Sequence, residues 1–254
     1  MKKLLTVCFC AVMLCGIFLF SGCAQDDDNT LVLGLDASFA PMGFKDKNNE
    51  IVGFDIDVAR EVCERIGMTL ECKEIIWDQN LSELNNKSID CVWNGMSINE
   101  EREASMLLTP AYMNNRMVFA VKTDSDIQTV DQLTGKKIAV QNGSEGEKAL
   151  DASGIQYEKV GHADYAMAYN ELGLGLVDAV LVDEVAVQYM IKSQGKDFRI
   201  LDEALGDDLY VIGFRKEDTE LKDKVWNAIK EMKEDGTLKE ISEKWFGSDL
   251  TVVE

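Results

Sequence analysis

Lys137-Ile138-Ala139-Val140-Gln141-Asn142-Gly143-Ser144-Glu145-Gly146-Glu147 reads as a strand, a turn and the opening of a helix. Ile138 to Val140 form the short apolar run of a buried strand. Ser144 with Glu147 three residues on has the form of a capping box, and the glycines between let a ligand approach the backbone. Reading outward, the same unit recurs. Leu31 to Leu35 runs into Asp36-Ala37-Ser38-Phe39, Cys91-Val92-Trp93 into Asn94-Gly95-Met96-Ser97, and Ala179 to Val182 into Asp183-Glu184. Apolar runs alternating with helical patterns place helices on the faces of parallel sheets, so the fold class is α/β.

The spacing predicts strands at 31–35, 69–76, 89–93, 117–122, 137–141, 156–160, 178–182 and 209–214. Phe44-Lys45 and Ile51-Val52 read as a hairpin around Asp46 to Asn49. Helices are predicted at 56–66, closed by Gly67, at 79–87, from Asn99, at 145–152, at 163–173, and over 217–246 with a break at Asp235-Gly236. Two similar series suggest two lobes, 31–115 with 213–254 and 116–212, without a Pro/Ser-rich linker. The boundary then consists of crossing strands near 115–119 and 208–213.

Composition narrows the function. The 254 residues carry 26 Lys+Arg against 46 Asp+Glu, a formal charge of −20, which argues against a nucleic-acid partner. His162 is the only histidine, leaving no basis for a His-dependent triad or a metal site of several imidazoles. Carboxylates, backbone groups, Arg and aromatics must carry the chemistry.

Residues 1–22 read as a secretory signal peptide: Lys2-Lys3, then an apolar run from Leu4 to Phe20. An uncleaved anchor is the alternative, since the run is near the short limit for a membrane span. Ser21-Gly22-Cys23 resembles a bacterial lipoprotein box, although Phe20 stands where that motif prefers Leu. It implies cleavage and a lipid anchor on Cys23. Cleavage removes two lysines and no acids, so the mature charge becomes −22. Residues 23–30 form a short polar tether. Of the remaining thiols, Cys63 and Cys72 are spaced for one short-loop disulfide, and Cys91 reads as a buried small hydrophobe.

In open α/β sheets ligands bind beyond the carboxyl ends of strands. Four polar-ended strands divided between two lobes converge on one cleft. Arg102 lies in the first turn of the helix capped by Asn99, where the helix dipole disfavours a cation by roughly 0.3–1 kcal/mol. An anionic ligand explains it; pairing with Glu100 or Glu101 is the bland alternative. Asp183 ends a wholly apolar strand, so its charge must meet solvent, a cap or a cation. Arg102 with helix amino ends on one side and Asp183 on the other suit a zwitterionic α-amino acid. Phe39 and Trp77 supply apolar walls, or are plain core.

Other patterns fail. Asp46-x-Asn48-x-Glu50 has Ile51 where a calcium loop needs Gly, so it is a hairpin turn. Gly173-x-Gly175 lacks the third Gly of a dinucleotide fingerprint. Asp55 and Asp57 at a helix start read as a cap and a dipole partner. No metal site or cofactor is expected.

Ile51-Val52-Gly53-Phe54-Asp55-Ile56-Asp57, Asn94 to Ile98 with Glu101-Arg102, Leu133-x-Gly135 to Val140, Val177-Asp178-Ala179 with Val182-Asp183-Glu184, and Asp235-Gly236-Thr237 with Lys244-Trp245-Phe246-Gly247 together resemble a known family. It is that of the extracytoplasmic solute-binding proteins of polar amino acid ABC transporters. The resemblance runs from about 31 to 247 and implies a two-lobed, type II periplasmic-binding-protein fold. Such a protein closes on one amino acid and delivers it to a membrane permease, here as a lipid-anchored monomer. The resemblance also implies roles: Arg102, Ser97 and the Ser144 region on the α-carboxylate, Asp183 and the Gly95 carbonyl on the α-ammonium. Asp36, Phe39 and Trp77 match positions around the ligand side chain, with Asn94 beside them. Glu145 departs from the pattern, standing where many relatives have Thr, and must turn outward or meet a basic ligand group. Asp36 suits Arg or Lys and would also accept from a glutamine amide; histidine and cystine remain open.

A rival from another class is a dehydratase acting on a prephenate-like acid, with Glu145 as its cleft acid. A third reading, a sensor domain, expects a further membrane or signalling segment after Glu254.

Overall fold

The structure is a computed structural model that describes residues 29–254. The signal peptide, Cys23 and most of the tether lie outside the described residues. In chain order the elements are β1 (Thr30–Leu35), β2 (Ser38–Phe39), β3 (Gly43–Lys45), β4 (Ile51–Val52), α1 (Phe54–Ile66), β5 (Thr69–Glu74), a 3-10 turn (Trp77–Gln79) and α2 (Asn80–Asn85). There follow β6 (Cys91–Ser97), α3 (Glu100–Ser105), β7 (Leu107–Leu108), β8 (Met113–Lys122), a second 3-10 turn (Val130–Leu133), β9 (Lys137–Gln141) and α4 (Glu145–Ala152). The chain ends with β10 (Glu158–His162), α5 (Tyr165–Leu174), β11 (Ala179–Asp183), α6 (Glu184–Lys192), β12 (Phe198–Phe214), α7 (Thr219–Asp235) and α8 (Thr237–Phe246).

The main sheet has the order β10-β9-β11-β8-β12-β6-β1-β5, with β7 on β12. Its two ends are parallel, β9 with β10 and β11, and β1 with β5 and β6. Between them β8 and β12 run antiparallel from Phe198↔Lys122 to Tyr210↔Met113, with register shifts on either side of Ala204. These two long strands join an amino-terminal half, built on β1, β5 and β6, to a second half built on β9, β10 and β11. β2, β3 and β4 form a separate antiparallel sheet beside the first half.

Alternation along the strands assigns the cores. Leu31, Leu33, Leu35, Val118, Ala120, Val180 and Val182 belong to the central cluster under α1, α5, α7 and α8. Met117, Phe119, Val121, Ala179 and Leu181 face the opposite way, onto Leu133 and Leu150. Val92, Met96 and Val211 do the same in the first half, against Trp77 and Leu84. Each half is therefore a sheet with both faces covered, as parallel strands require.

Several expectations need correction. The tether ends before Thr30, which already pairs with Thr69 in β1. The strand predicted to stop at Trp93 continues through Ser97, because its pairing with β12 runs on from Cys91 and Val92 to Met96 and Ser97. The helix predicted at 79–87 starts as a 3-10 turn at Trp77. β12 begins at Phe198, and α6 follows Asp183 where no helix was predicted. α1 is preceded by Gly53 at φ 149°, so Asp55 lies inside the first turn and is no cap. Asp46 Oδ1 accepts from the Asn48 and Glu50 amides, which makes the 46–50 segment the expected turn. Cys63, Cys72 and Cys91 are free thiols, the first and last buried.

Candidate functional site

Asp36, Phe39, Trp77, Asn94, Gly95, Ser97, Arg102, Ser144, Glu145 and Asp183 line one cavity, together with Gln141 and Tyr165. The ten sequence-derived candidates thus stand together, six on the β1–β5–β6 side with Arg102 beside them on α3, and three on the far side of the cavity.

Arg102 is 5% exposed. Asn99 caps α3 by accepting the Arg102 amide at 2.9 Å, which fixes the backbone. Its Nη1 donates to the Ser97 carbonyl at 2.6 Å and its Nη2 to the Gly143 carbonyl at 3.4 Å, while the guanidinium carbon lies 5.8 Å from the Trp77 ring centroid. Among the described residues both hydrogen-bond partners of the guanidinium are backbone carbonyls. Glu101, the bland partner, pairs with Lys148 instead. Burial pushes Arg102 below its ordinary pKa, opposed by the charges of Glu145, Asp208, Asp183 and Glu101. A guanidinium carries five N–H donors, so this one keeps capacity for a further acceptor.

Asp183 is 4% exposed at the end of β11. It precedes α6 without capping it. Its Oδ1 accepts from Asn115 Nδ2 at 2.6 Å and Tyr210 Oη at 2.7 Å, leaving Oδ2 for another donor. Burial first, and the neighbouring Asp208 second, push its pKa up to about 7.

Ser144 accepts from the Glu147 amide at 3.1 Å, and Glu147 accepts from the Gly143 amide at 2.8 Å rather than from Ser144, so the capping box is displaced by one residue. Glu145 turns neither to bulk solvent nor away from the cleft: its Oε2 accepts from Asn99 Nδ2 across the cavity at 2.7 Å. Asp36 Oδ1 holds the Ser38 amide and hydroxyl at 2.9 and 2.7 Å, and Oδ2 accepts from Gln141 Nε2 at 2.6 Å. Burial raises the Asp36 pKa against these bonds. Asn94 Oδ1 accepts the Asp36 amide at 3.0 Å, while Nδ2 is buried without a partner among the described residues. Phe39 packs at 5.7 Å between centroids on Tyr165 of the other half. The Ser97 hydroxyl is engaged by Asp208 at 2.7 Å. Gly95, at φ 57°, donates its amide to Asp55 Oδ2 at 2.7 Å.

Sequence reasoning missed Gln141, Tyr165, Asn115, Asp208, Tyr210 and Asp55. Gln141 carried a signal, as the first polar residue after an apolar strand. Tyr165 carried none, since a tyrosine in the first turn of an apolar helix is ordinary core. Asn115 and Asp208 sit within the crossing strands, and polar residues at buried strand positions were the available sign. His162 is bonded to Glu171 at 3.0 Å and does not line the cavity. Among the described residues no cluster of His, Cys, Asp and Glu could hold a metal ion.

Residues 31–248 match the family described as bacterial extracellular solute-binding proteins, family 3. The chain is 31% identical over 224 residues to the L-cystine-binding protein TcyJ of Escherichia coli strain K12, covering 87% of this chain and 84% of that one. The solved substrate-binding protein of an ABC uptake transporter from Streptococcus pneumoniae, with bound histidine, superposes with a TM-score of 0.86 at 33% identity, covering 89% of this chain and 96% of that one. An ancestral arginine-binding protein bound to arginine gives a TM-score of 0.82 at 35% identity, with 86% and 99% covered.

Proposed function

The chain belongs to the bacterial extracellular solute-binding proteins of family 3, and from that premise we propose that it captures a polar, preferably basic, L-amino acid between its two lobes and delivers it to an ABC permease. The observation that carries this reading is the pairing of opposite charges in one cavity. Arg102 offers unspent donors to a carboxylate, and Asp183 offers a free oxygen to an ammonium. The lobes are taken as 31–115 with 213–254 and 116–212, crossing at β8 and β12.

Charge favours a basic side chain. Asp36, Glu145 and Asp183 line the cavity against Arg102 alone. A neutral zwitterion matches one anion and one cation; a ligand with a second cation also answers Asp36, whose carboxylate still has lone pairs to accept with. Trp77 and Phe39 flank the remaining apolar stem. The relatives named above are described as binding cystine, histidine and arginine; arginine and cystine each carry a second cation, and a glutamine ligand carries none.

The reading is of a binding protein and not an enzyme. A dehydratase would need Glu145 free to move a proton, whereas Asn99 holds it and Arg102 stands beside it. The protein works outside the cytoplasm. We further read residues 1–22 as a cleaved signal peptide and Cys23 as the lipid anchor of a monomer.

A thermal-shift series tests the reading, because a ligand that binds only the folded state raises its stability. L-arginine, L-lysine, L-histidine, L-glutamine, L-cystine and prephenate are compared on the purified protein. The expected outcome is a shift with arginine or lysine at micromolar affinity, about −8 kcal/mol. A response and turnover with prephenate alone would move the protein to the enzyme class.

A further inference from the structure

Two buried carboxylates from different elements hang on one amide. Asn115 on β8 stands opposite Asp208 on β12 in the antiparallel register. Its Nδ2 donates to Asp208 Oδ2 at 3.0 Å and to Asp183 Oδ1 at 2.6 Å. Asp208 Oδ2 also accepts from Ser97 Oγ at 2.7 Å, and the Ser97 carbonyl accepts from Arg102 Nη1 at 2.6 Å. An unbroken series therefore runs from Asp183 through Asn115, Asp208 and Ser97 to Arg102, spanning both halves through the crossing strands. Asn115 Oδ1, in a side chain 5% exposed, has no partner among the described residues.

The arrangement is unbalanced as it stands. Like charges in a water-poor site cannot both ionise cheaply, and a neutral amide bridging them cancels neither. Among the described residues Arg102 from α3 is the cation that faces the pair; Glu145 from α4 adds a further negative charge, and the hydroxyls of Tyr210 on β12 and Tyr165 on α5 are neutral. Burial raises Asp208 as it raises Asp183, with Glu145 adding to the effect. A single cation placed at Asp183 relieves all of these repulsions together.

Resting on the amino-acid reading above, we propose that Asp208 and Asn115 are the outer half of the ammonium site and set the preference for amino acids over α-hydroxy acids of the same side chain. Asp183 contacts the amine. Asp208 acts through Asn115 and through the field it adds, so it is a positioning and specificity-determining residue. Asn115 and Asp208 are register partners on β8 and β12, and Asp183 ends β11 on the other side of β8, so the three groups are held together by one sheet beside the site of the amine.

Calorimetry on the full chain in detergent tests this, with L-arginine, L-histidine and L-glutamine, each beside its α-hydroxy acid. Asp208→Asn keeps the size of the side chain and removes the charge. Its preference for amino acid over hydroxy acid should shrink by about tenfold or more, as expected for loss of a buried charge that faces the ligand's amine. Asp208→Glu should restore the preference, which a packing role would not do. If Asp208→Asn does not fold, Asp208→Ser is measured with the same expectation. A folded variant that keeps the wild-type preference overturns this proposal alone. A wild-type protein that binds no amino acid overturns the reading above and this proposal with it.

Discussion

Arg102 occupies a position that two local rules oppose. It lies in the first turn of α3, where the helix dipole disfavours a cation by roughly 0.3–1 kcal/mol, and it is nearly fully buried. Two carbonyls and the surrounding carboxylates hold it there, and in the function proposed above a ligand carboxylate completes the set. Arg102→Ala should therefore weaken binding by roughly 2–5 kcal/mol, because it leaves the ligand anion buried and unpaired. Calorimetry that returns wild-type affinity would remove Arg102 from the site. Arg102 and Asp183 were legible in the sequence for the same reason: each breaks a local rule that nothing nearby repairs. Asp55 was not, because an acid in a helix's first turn already has a sufficient local explanation. Only the fold brings the Gly95 amide at 2.7 Å and the Tyr112 hydroxyl at 2.9 Å to its carboxylate.

β6 shows what an element can hide. Its first residues, Cys91 and Val92, lie between β1 and β12, and its last, Met96 and Ser97, pair with β12 alone. Gly95, at φ 57°, falls where the register with β12 shifts between Val211 and Gly213, and a Cβ there would meet Phe39 at 2.9 Å, Met42 at 3.1 Å and Tyr210 at 3.2 Å. Gly95→Ala should thus cost about 1–3 kcal/mol of stability through backbone strain, with further loss from the crowding, and should weaken binding by shifting Asn94 and Ser97. Chemical denaturation beside calorimetry checks it; a variant with unchanged midpoint and affinity would show that the position is tolerant. The sequence pattern ended this strand at Trp93 because polar residues follow. Those residues are buried strand in fact, since the partner that accepts them lies more than a hundred positions along the chain. Strands β9 and helix α4 were read with their observed limits because their signals are local: an apolar run, then Ser144 as cap. α6 was missed because its β-branched Val185, Val187 and Ile191 gave it little helical preference.

At the scale of the whole molecule, the two halves already touch across the cavity. Gln141 donates to Asp36 at 2.6 Å, Asn99 to Glu145 at 2.7 Å, Lys148 pairs with Glu101, and Gly143 lies so close to Asp78 that a Cβ would meet its Oδ1 at 2.7 Å. This is a closed arrangement with its anionic groups buried, which ties stability and binding to pH in opposite senses. Asp55 and Asp183 are both raised from 3.8 to about 7, chiefly by burial. Between those values the folded protein holds protons that the unfolded chain has released. Stability without ligand should accordingly fall as pH rises from about 4 to about 7 and then level, where these two groups dominate. Binding should run the other way. An ammonium at Asp183 favours its ionised form, so below pH 7 the ligand must first displace a proton, and affinity should weaken as pH falls. In this arrangement Arg102, Asp208, Tyr210, Tyr165 and Asn115 surround Asp183. Melting temperatures and dissociation constants measured from pH 4 to 8 check both slopes, and Asp183→Asn should flatten the binding profile. An affinity that strengthened toward pH 4 would mean that the ligand's amine does not meet an ionised Asp183.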